Sequence, residues 1–505
     1  MPKGLPTFTF DEVNQSQVPP IQLEGVHGVI ASSLFGQADK PYEITSVQQF
    51  LNEFGGAGTA APYFAQIRRA LARGVTIWFQ RLLFTGATAA HIALDVSDIT
   101  VTAHDLGAWA NGTVGIQYTP LAVGVGGVPG TNQFVFTYSG NANLNEVWQS
   151  NSLNSLIALV NANSEIVSLS TSAGYVEPAN TTGTPVMLAN GVDGAFASIA
   201  AADAAVAALM PNFDDSALMP IDTLSAFGGH SLAHYTNLNL YVSARKDIMG
   251  LFEIDPTLAP AAAATFATTL QVDLSEFMAV YYSSLVTAYS PEQATSVSGP
   301  CLGDVIAVWA VSDTMNGNVY LAPAGSRRGL IPNITSFAYN LLSPSLQSAA
   351  NALVALGVNI VGNDPTYGPV VWGAQTMAQS NTALDAINVR RILTSLNQQV
   401  TPIFRSEQFQ PMNPVTWRDA YTKVLIVLNQ MVSDGAIYAG FTYVGDQEAS
   451  TISDATYNDP VDLANGLYKV LISVVPVGYI YNINCTLDVN NLITLFNTTT
   501  TVSSS

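Results

Sequence analysis

Cysteine is nearly absent: Cys301 and Cys485 stand far apart, with no metal-ligand spacing between them. That argues against a disulfide framework and makes a reducing cytoplasm the expected place of synthesis. Charge is scarce too. Asp, Glu, Lys and Arg make up 10% of the chain, against roughly 25% in an average soluble protein. The surface must therefore be covered largely by Asn, Gln, Ser and Thr, which suits dense packing against neighbours. Cations are the rarest charges. Sixteen Lys and Arg face 36 Asp and Glu, a net charge of −20, which opposes the phosphate neutralisation that nucleic-acid binding needs. Between Arg81 and Arg245 there is no Lys or Arg at all, while that interval holds eleven acidic residues. Such asymmetry predicts that the two parts of the chain meet different environments. No apolar run approaches the roughly 18 residues that span a bilayer. The opening MPKGLPTFTFDEVNQ lacks the apolar region of a signal peptide. Direct membrane insertion is not expected.

Histidine scarcity bears on catalysis. Gly229-His230-Ser231-Leu232-Ala233 approximates the nucleophile elbow G-x-S-x-G, with Ala at the last place. The α/β-hydrolase fold orders its triad Ser, acid, His, and the only histidine after Ser231 is His234. A general base is missing, which disfavours a hydrolase using Ser231. His230 and His234 have i, i+4 spacing, but a zinc-protease helix needs Glu where Ser231 stands. The Gly124–Gly130 run has Pro129 in place of the third glycine of a dinucleotide fingerprint, and no lysine follows a glycine as a phosphate loop requires. Asp214-Asp215 reads as a loop or helix cap. No catalytic residue, cofactor or metal is expected.

What the chain does have is apolar content, 48% over 505 residues, ample for several cores. Residues 1–24 are extended and polar. Thr7, Phe8, Thr9 and Phe10 alternate with strand period but have no hairpin partner nearby. The segment reads either as a tail or as an arm that adds a strand to another subunit. Residues 25–84 read as strand, helix, helix, strand. Ser46 or Thr45 starts the first helix, Gly55 and Gly56 end it, Pro62 opens the second and Gly74 closes it. Arg68, Arg69 and Arg73 lie on that second helix and are candidates to meet an acidic neighbour. Residues 85–185 are rich in Thr, Gly, Asn and Val, with alternating runs at Gly115–Tyr118 and Phe134–Tyr138, which predicts a β-rich domain. Residues 186–371 read as α/β, with apolar strands expected at Leu238–Val242, Gly250–Ile254 and Val305–Val311. Residues 372–484 are α+β. A long helix there is expected to start at Thr416, with Asp419 in its first turn, and to end at Gly435. Residues 467–484 alternate around Pro476 as an edge strand does. Residues 485–505 form a second extended segment, with Leu492, Ile493, Leu495 and Phe496 as its apolar residues.

The most informative stretch is 356–396. A Gly/Pro-punctuated loop leads into a strand around Val370–Trp372, and then into a helix where Val389, Ile392, Leu393 and Leu396 form one stripe. Arg390 and Arg391 leave that stripe. Gly357, Asn359, Gly368, Trp372, Gly373, Thr376, Asn388, Val389, Arg390 and Arg391 resemble a signature of contractile-tail sheath proteins, with Gln375 where that family usually has Arg. Weaker landmarks occur in order. Leu106-Gly107-Ala108-Trp109-Ala110-Asn111 and Leu188-Ala189-Asn190-Gly191-Val192-Asp193-Gly194 are similar to family phrases in which Gly stands at the places of Ala110 and Asn190. Asn tolerates the left-handed region that Gly favours; Ala does so less readily. In a further phrase around Pro323-Ala324, Gly325 replaces an expected Asn.

The resemblance implies a multidomain α+β and α/β subunit. Its parts would be a discontinuous inner α/β module (25–84 with 372–484), an inserted middle α/β domain (186–371), a β-rich outer domain (85–185) and extended terminal arms. It implies hexameric rings of this chain stacked helically around a tail tube protein, with baseplate and tail terminator proteins as further partners. It also implies a place in a virion tail assembled in the host bacterial cytoplasm, where contraction drives the tube through a cell envelope without nucleotide or metal. A capsid-like or surface-layer protein is the other structural class that such a composition suits.

Overall fold

The computed structural model describes residues 25–94, 98–120, 131–181, 183–216, 218–316, 320–378, 382–411, 413–444 and 468–479. The chain begins with strand β1 (Val26–Ala31), short strand β2 (Tyr42–Ile44), helices α1 (Val47–Glu53) and α2 (Phe64–Leu71), and strand β3 (Thr76–Arg81). Ser46 caps α1 by accepting from the Gln49 amide. Gly55 and Gly74 both take positive φ at the ends of their helices, as expected.

Residues 89–187 build two small sheets around a core of their own. One joins β4 (Ala89–Ala93), β5 (Ile99–Leu106) and β9 (Val167–Thr171). The other joins β6 (Val114–Thr119), β7 (Asn132–Tyr138), β8 (Glu146–Ser150) and β10 (Val186–Met187). The predicted alternation is visible in the antiparallel register, where Ile116 pairs with Phe136 and Tyr118 with Phe134. The buried residues Ile116, Tyr118, Phe134 and Phe136 face helix α3 (Leu153–Asn163), which adds Leu156 and Val160.

The chain then returns to the first sheet. Helix α4 (Ile199–Leu209), β11 (Thr223–Ala226), α5 (Leu232–Arg245), β12 (Met249–Glu253), α6 (Pro260–Leu270) and β13 (Met278–Tyr282) follow in turn. A three-stranded excursion comes next, built from β14 (Val286–Ser290), β15 (Thr295–Gly299) and, later, β16 (Ile334–Phe337). Between β15 and β16 lie α7 (Leu302–Asn316) and α8 (Gly325–Arg328). Helix α9 (Gln347–Val354), β17 (Asn359–Asp364) and β18 (Gly368–Trp372) complete the region. The result is one eight-stranded sheet, ordered β18-β17-β13-β12-β11-β1-β3-β2, parallel except at its two edge strands. Successive residues bury opposite faces. Val29, Leu251 and Tyr281 pack with α1, α2 and α7, while Ile30, Phe252 and Tyr282 pack with α5, α6 and α9.

Strands of 25–84 lie in the same sheet as strands of 186–371, hydrogen-bonded directly through β1 and β11. One core joins residues of 25–84, of 186–371 and of the start of 372–484, among them Phe79, Leu251, Ala374 and Ile387. The last part of the chain is distinct. Helices α10 (Ile387–Glu407) and α11 (Pro414–Ser433) form an antiparallel pair, and a two-stranded sheet of β19 (Thr442–Val444) and β20 (Leu471–Ser473) packs on them around Ile392, Val424 and Leu428. Asn413, not Thr416, caps α11, accepting from the amides of Val415 and Thr416 with Pro414 at the first helical position. Leu238–Val242 and Val305–Val311 are helical, inside α5 and α7. Helix α7 is apolar and buried nearly all round, so its period is not distinct from that of a buried strand, whereas in α5 the exposed Leu240 gives Leu238, Leu240 and Val242 a strand-like alternation. Gly250–Ile254 is a strand, β12, as expected.

Two buried carboxylates fasten the sheet. The Asp222 carboxylate accepts from the Gly25 amide at 2.9 Å and the Val26 amide at 3.4 Å, tying the start of β1 to β11. Beside it, His27 Nδ1 lies 2.5 Å from Thr223 Oγ1. Glu253 Oε1 accepts from the Cys301 amide at 3.1 Å, just ahead of α7, where the helix dipole favours an anion. Burial pushes Asp222 and Glu253 up to about 7, Asp313 adding to the rise at Asp222, and pushes His27 down to about 3. Between pH of about 4 and 7 the folded chain keeps protons on both acids that the unfolded chain has released, so stability falls as pH rises through that window. His27 acts the other way. The unfolded chain protonates it near 6.5 and the folded chain does not until about 3, so its contribution is lost as pH falls. Asp222→Asn keeps an acceptor oxygen and abolishes the titration. Its thermal midpoint should gain on that of the wild type between about pH 4 and 7 and level off above, and parallel midpoint curves would contradict this assignment.

Candidate functional site

Helix α10 carries the signature residues, and its first turns are buried almost all round. Arg390 and Arg391 do not leave the apolar face for solvent: they are 8% and 5% exposed. A buried guanidinium needs a counter-charge and filled donors. The Arg391 fork grips both oxygens of Asp313 on α7, and its plane lies over the Trp309 ring at 4.7 Å. Trp309 in turn donates its indole N–H to the Tyr281 hydroxyl on β13 at 2.9 Å. Arg390 donates to Glu276 at 3.0 Å and lies 4.5 Å over the Phe277 ring.

A second clasp sits at the other end of α7. Arg69 of α2 donates from Nε and Nη2 to the Asp304 carboxylate at 2.8–3.0 Å, and from Nη2 to the Pro300 carbonyl at 3.0 Å. Burial pushes the Asp304 and Asp313 carboxyls up from the usual range, and Arg69 and Arg391 pull them back. Arg69 is therefore corrected as a candidate for contact with a neighbour, because its guanidinium is consumed inside its own chain. Arg68 pairs with Glu292 at 2.9 Å while about a fifth exposed, and Arg73 is half-buried with Nη2 3.4 Å from the Leu330 carbonyl.

The rest of the signature is a backbone knot. Asn359 on β17 donates to the carbonyls of Val280 and Gln375, and its Oδ1 accepts from the Gln375 amide at 2.7 Å. Gly373 passes directly over it at φ 155°, where a Cβ would stand 2.8 Å from Asn359 Oδ1. Thr376 fixes the following loop by donating to the Leu384 carbonyl. Asn388 donates to the carbonyls of Tyr320 and Val477, holding the segment that continues from β20 against the start of α10. Gly357 turns at φ 78° between α9 and β17, and Trp372 remains 43% exposed. Gln375 keeps its side-chain oxygen buried without a hydrogen-bond partner among the described residues.

The two weaker landmarks lock to each other. Asn111 and Gly191 exchange two hydrogen bonds of 2.8 Å, and the Asp193 carboxylate accepts from the Ala108 amide. Asn190 takes the left-handed conformation at φ 65°, whereas Ala110 does not, so the loss of glycine there carries no strain. Arg81 ties β3 to the β-rich region, donating to the carbonyls of Gly36, Leu34 and Leu106 while 4% exposed.

Ser231 is a helix cap. Its Oγ accepts from the His234 amide at 3.0 Å and donates to Asp203 at 2.5 Å. The buried His234 ring faces Asp203 at 3.9 Å and is held neutral, its pKa near 4, by burial. His230 Nδ1 lies 3.0 Å from the Glu253 carbonyl. Asp214 and Asp215 act locally, accepting from the Tyr241 hydroxyl and the Leu218 amide. The loop after β11, where a doubly wound sheet opens its ligand crevice, is closed by Tyr63, whose hydroxyl would stand 2.0 Å from a Cβ on Gly228. Among the described residues, no cluster of three or more acidic, His or Cys side chains is arranged to hold a metal, and no helix is long and apolar enough to cross a membrane. Thr7, Phe8, Thr9, Phe10, Leu492, Ile493, Leu495, Phe496 and the Gly124–Gly130 run lie outside the described residues.

Sequence reasoning missed Asp304, Asp313 and Glu276. The available signal was a pair of arginines adjoining an apolar stripe, which demands buried carboxylates elsewhere. Arg391→Met alone should strand the Asp313 charge and cost about 3–5 kcal/mol in urea denaturation, while Arg391→Met with Asp313→Leu should recover most of that loss. A double variant as unstable as the sum of the singles would contradict the clasp.

No protein-family model matches the chain. Over 139 residues it is 26% identical to the tail sheath protein of Vibrio phage KVP40, a match spanning 28% of this chain and 20% of that relative's length. The fold is similar to the sheath tail protein of Desulfitobacterium hafniense, with a TM-score of 0.60 at 17% identity over 88% of this chain and 94% of that one. It is similar also to the sheath of an extracellular contractile injection system, the PVC sheath complex in its contracted state. There the TM-score is 0.56 at 14% identity over 96% of this chain and 98% of that one. The likeness to contractile-tail sheath proteins thus rests on one curated sequence relative and on a fold shared along most of the chain.

Proposed function

We propose that the chain is the structural and mechanical subunit of a contractile tail sheath. It polymerises as stacked hexameric rings around an inner tube, and contraction drives that tube through a target envelope. The observation that carries this reading is the β19–β20 pair. Among the described residues it is a sheet of two strands, neither with a second partner. Two strands alone are marginal in water, and an unpaired edge is a template for another chain. Apolar Leu471 and Val475 stand exposed on and just beyond β20, at 43% and 59%. Arms from adjoining subunits, residues 1–24 and 485–505, would complete this sheet through main-chain hydrogen bonds. Such pairing persists while subunits rotate, because it depends on the strand and not on the angle of the linker.

The clasps on α7 give the complementary property. Paired buried charges and a shared sheet make the body a rigid unit, so the work of contraction belongs to the surfaces between subunits. The relatives are structural proteins of sheaths, which fits a chain whose Ser231, His234 and Asp203 serve packing and capping. The tube or neighbour contact proposed for α2 narrows to Arg68 and Arg73. The cation-free outer domain is proposed to face away from the tube, with baseplate and terminator proteins meeting the ends of the cylinder. Deleting residues 1–20 should leave a folded, soluble monomer that forms no striated cylinders by negative-stain microscopy. Normal cylinders from that variant would refute the arm, and flat lattices or shells from the intact chain would refute the sheath.

A further inference from the structure

The α10–α11 hairpin ends in a feature that its own fold does not use. Phe409, in the turn between the helices, is 104% exposed and sits at φ 66°. A bulky residue in the left-handed region is an outlier, and a fully solvated phenyl ring contributes nothing to its own core. The turn is held in shape on both sides. Gln408 and Gln410 donate back to the Arg405 and Glu407 carbonyls, Lys423 of α11 pairs with Glu407 at 2.7 Å, and Asn413 caps α11. The ring is therefore presented at the tip of the α10–α11 hairpin. Arg405, exposed one turn before it, places a cation beside it.

At the opposite end of α10 lies a concavity of about 280 Å³, lined by Gln375, Asp385, Ala386, Val389, Pro476 and Tyr479 among others. Its walls are largely apolar, and Asp385 supplies an anion. The knob and the hole are separated by the length of α10, 21 residues or about 30 Å, so one cannot reach the other within a chain. A knob and a hole at opposite ends of one helix, here interrupted near its end by Pro402, make a head-to-tail contact, the type that generates rings and helical polymers.

We propose that the hairpin tip of one copy docks into this concavity on a second copy, with Phe409 as the apolar anchor and Arg405 facing Asp385. The inference rests on the reading of the chain as a polymerising sheath subunit and names one of its contacts. It is continuous with the proposed arm site, because Pro476 and Tyr479 lie on the segment that leaves β20. An aromatic side chain with only two rotatable bonds loses little freedom on docking, which is the character of an interface anchor.

The test uses the full chain. Phe409→Ala and Phe409→Gly should fold with an unchanged or raised thermal midpoint, since Gly relieves the positive φ. The concentration needed for assembly should rise by about tenfold or more. Independently, copies carrying Ala383→Cys are mixed with copies carrying Phe409→Cys, both in a Cys485→Ser background; Cys301 is buried. A disulfide-linked dimer joining the two variants, formed in assemblies and absent from dilute monomer, is the expected result. Cylinders that form without that dimer, with Phe409→Ala assembling normally, would overturn the docking and leave the sheath reading intact. Cross-linking of Phe409→Cys to a tube protein instead would also overturn it. Failure of the wild-type chain to assemble at all would remove the sheath reading itself, and the docking with it.

Discussion

Helix α7 is the constraint on which the body of the protein depends. It is buried against the sheet and carries two carboxylates, Asp304 and Asp313, into the interior. An unpaired carboxylate there would cost several kcal/mol, so each must be met by a cation with matching geometry. Arg69 arrives from residues near the start of the described chain and Arg391 from the signature helix, more than three hundred residues later in sequence. Two ion pairs thus fix the relative placement of α2, α7 and α10. Guanidinium suits this task better than ammonium, because its planar fork satisfies both carboxylate oxygens and stacks on Trp309 at the same time.

The consequence is a division of labour between interior and edge. The eight-stranded sheet, the Asn359 knot and the two clasps account for nearly all of the signature residues, and they contact their own chain. On the proposed function, the surfaces left for neighbours would be the β19–β20 edges, the α10–α11 tip and the β-rich 89–187 region, and the signature residues would serve the packing of the subunit rather than its contacts.

This also explains what was legible in the sequence. The α10 stripe, the β6–β7 alternation, the glycine stops at Gly55 and Gly74 and the left-handed role of Asn190 are local properties, and local physics writes them plainly. Helix α7 reads as a strand because burial on all sides erases the polar face that marks a helix, and the middle of α5 does so because Leu238, the exposed Leu240 and Val242 alternate with strand period. The partners of Arg69 and Arg391 are not legible, because their carboxylates, Asp304 and Asp313, are distant in sequence. The sharing of one sheet between 25–84 and 186–371 was hidden for the same reason. Strand β11 joins β1 only after the whole outer domain has intervened, and no local pattern reports such a pairing.

On the proposed function, the β19–β20 pair, two-stranded among the described residues, is a sheet edge that neighbouring copies complete. Amide hydrogen exchange at residues 442–444 and 471–473, compared between dilute monomer and assembled cylinders, tests it most directly. Strand addition predicts that amides on the outward edges of both strands exchange rapidly in the monomer and become protected on assembly. Cylinders in which those amides exchange as fast as in the monomer would contradict it.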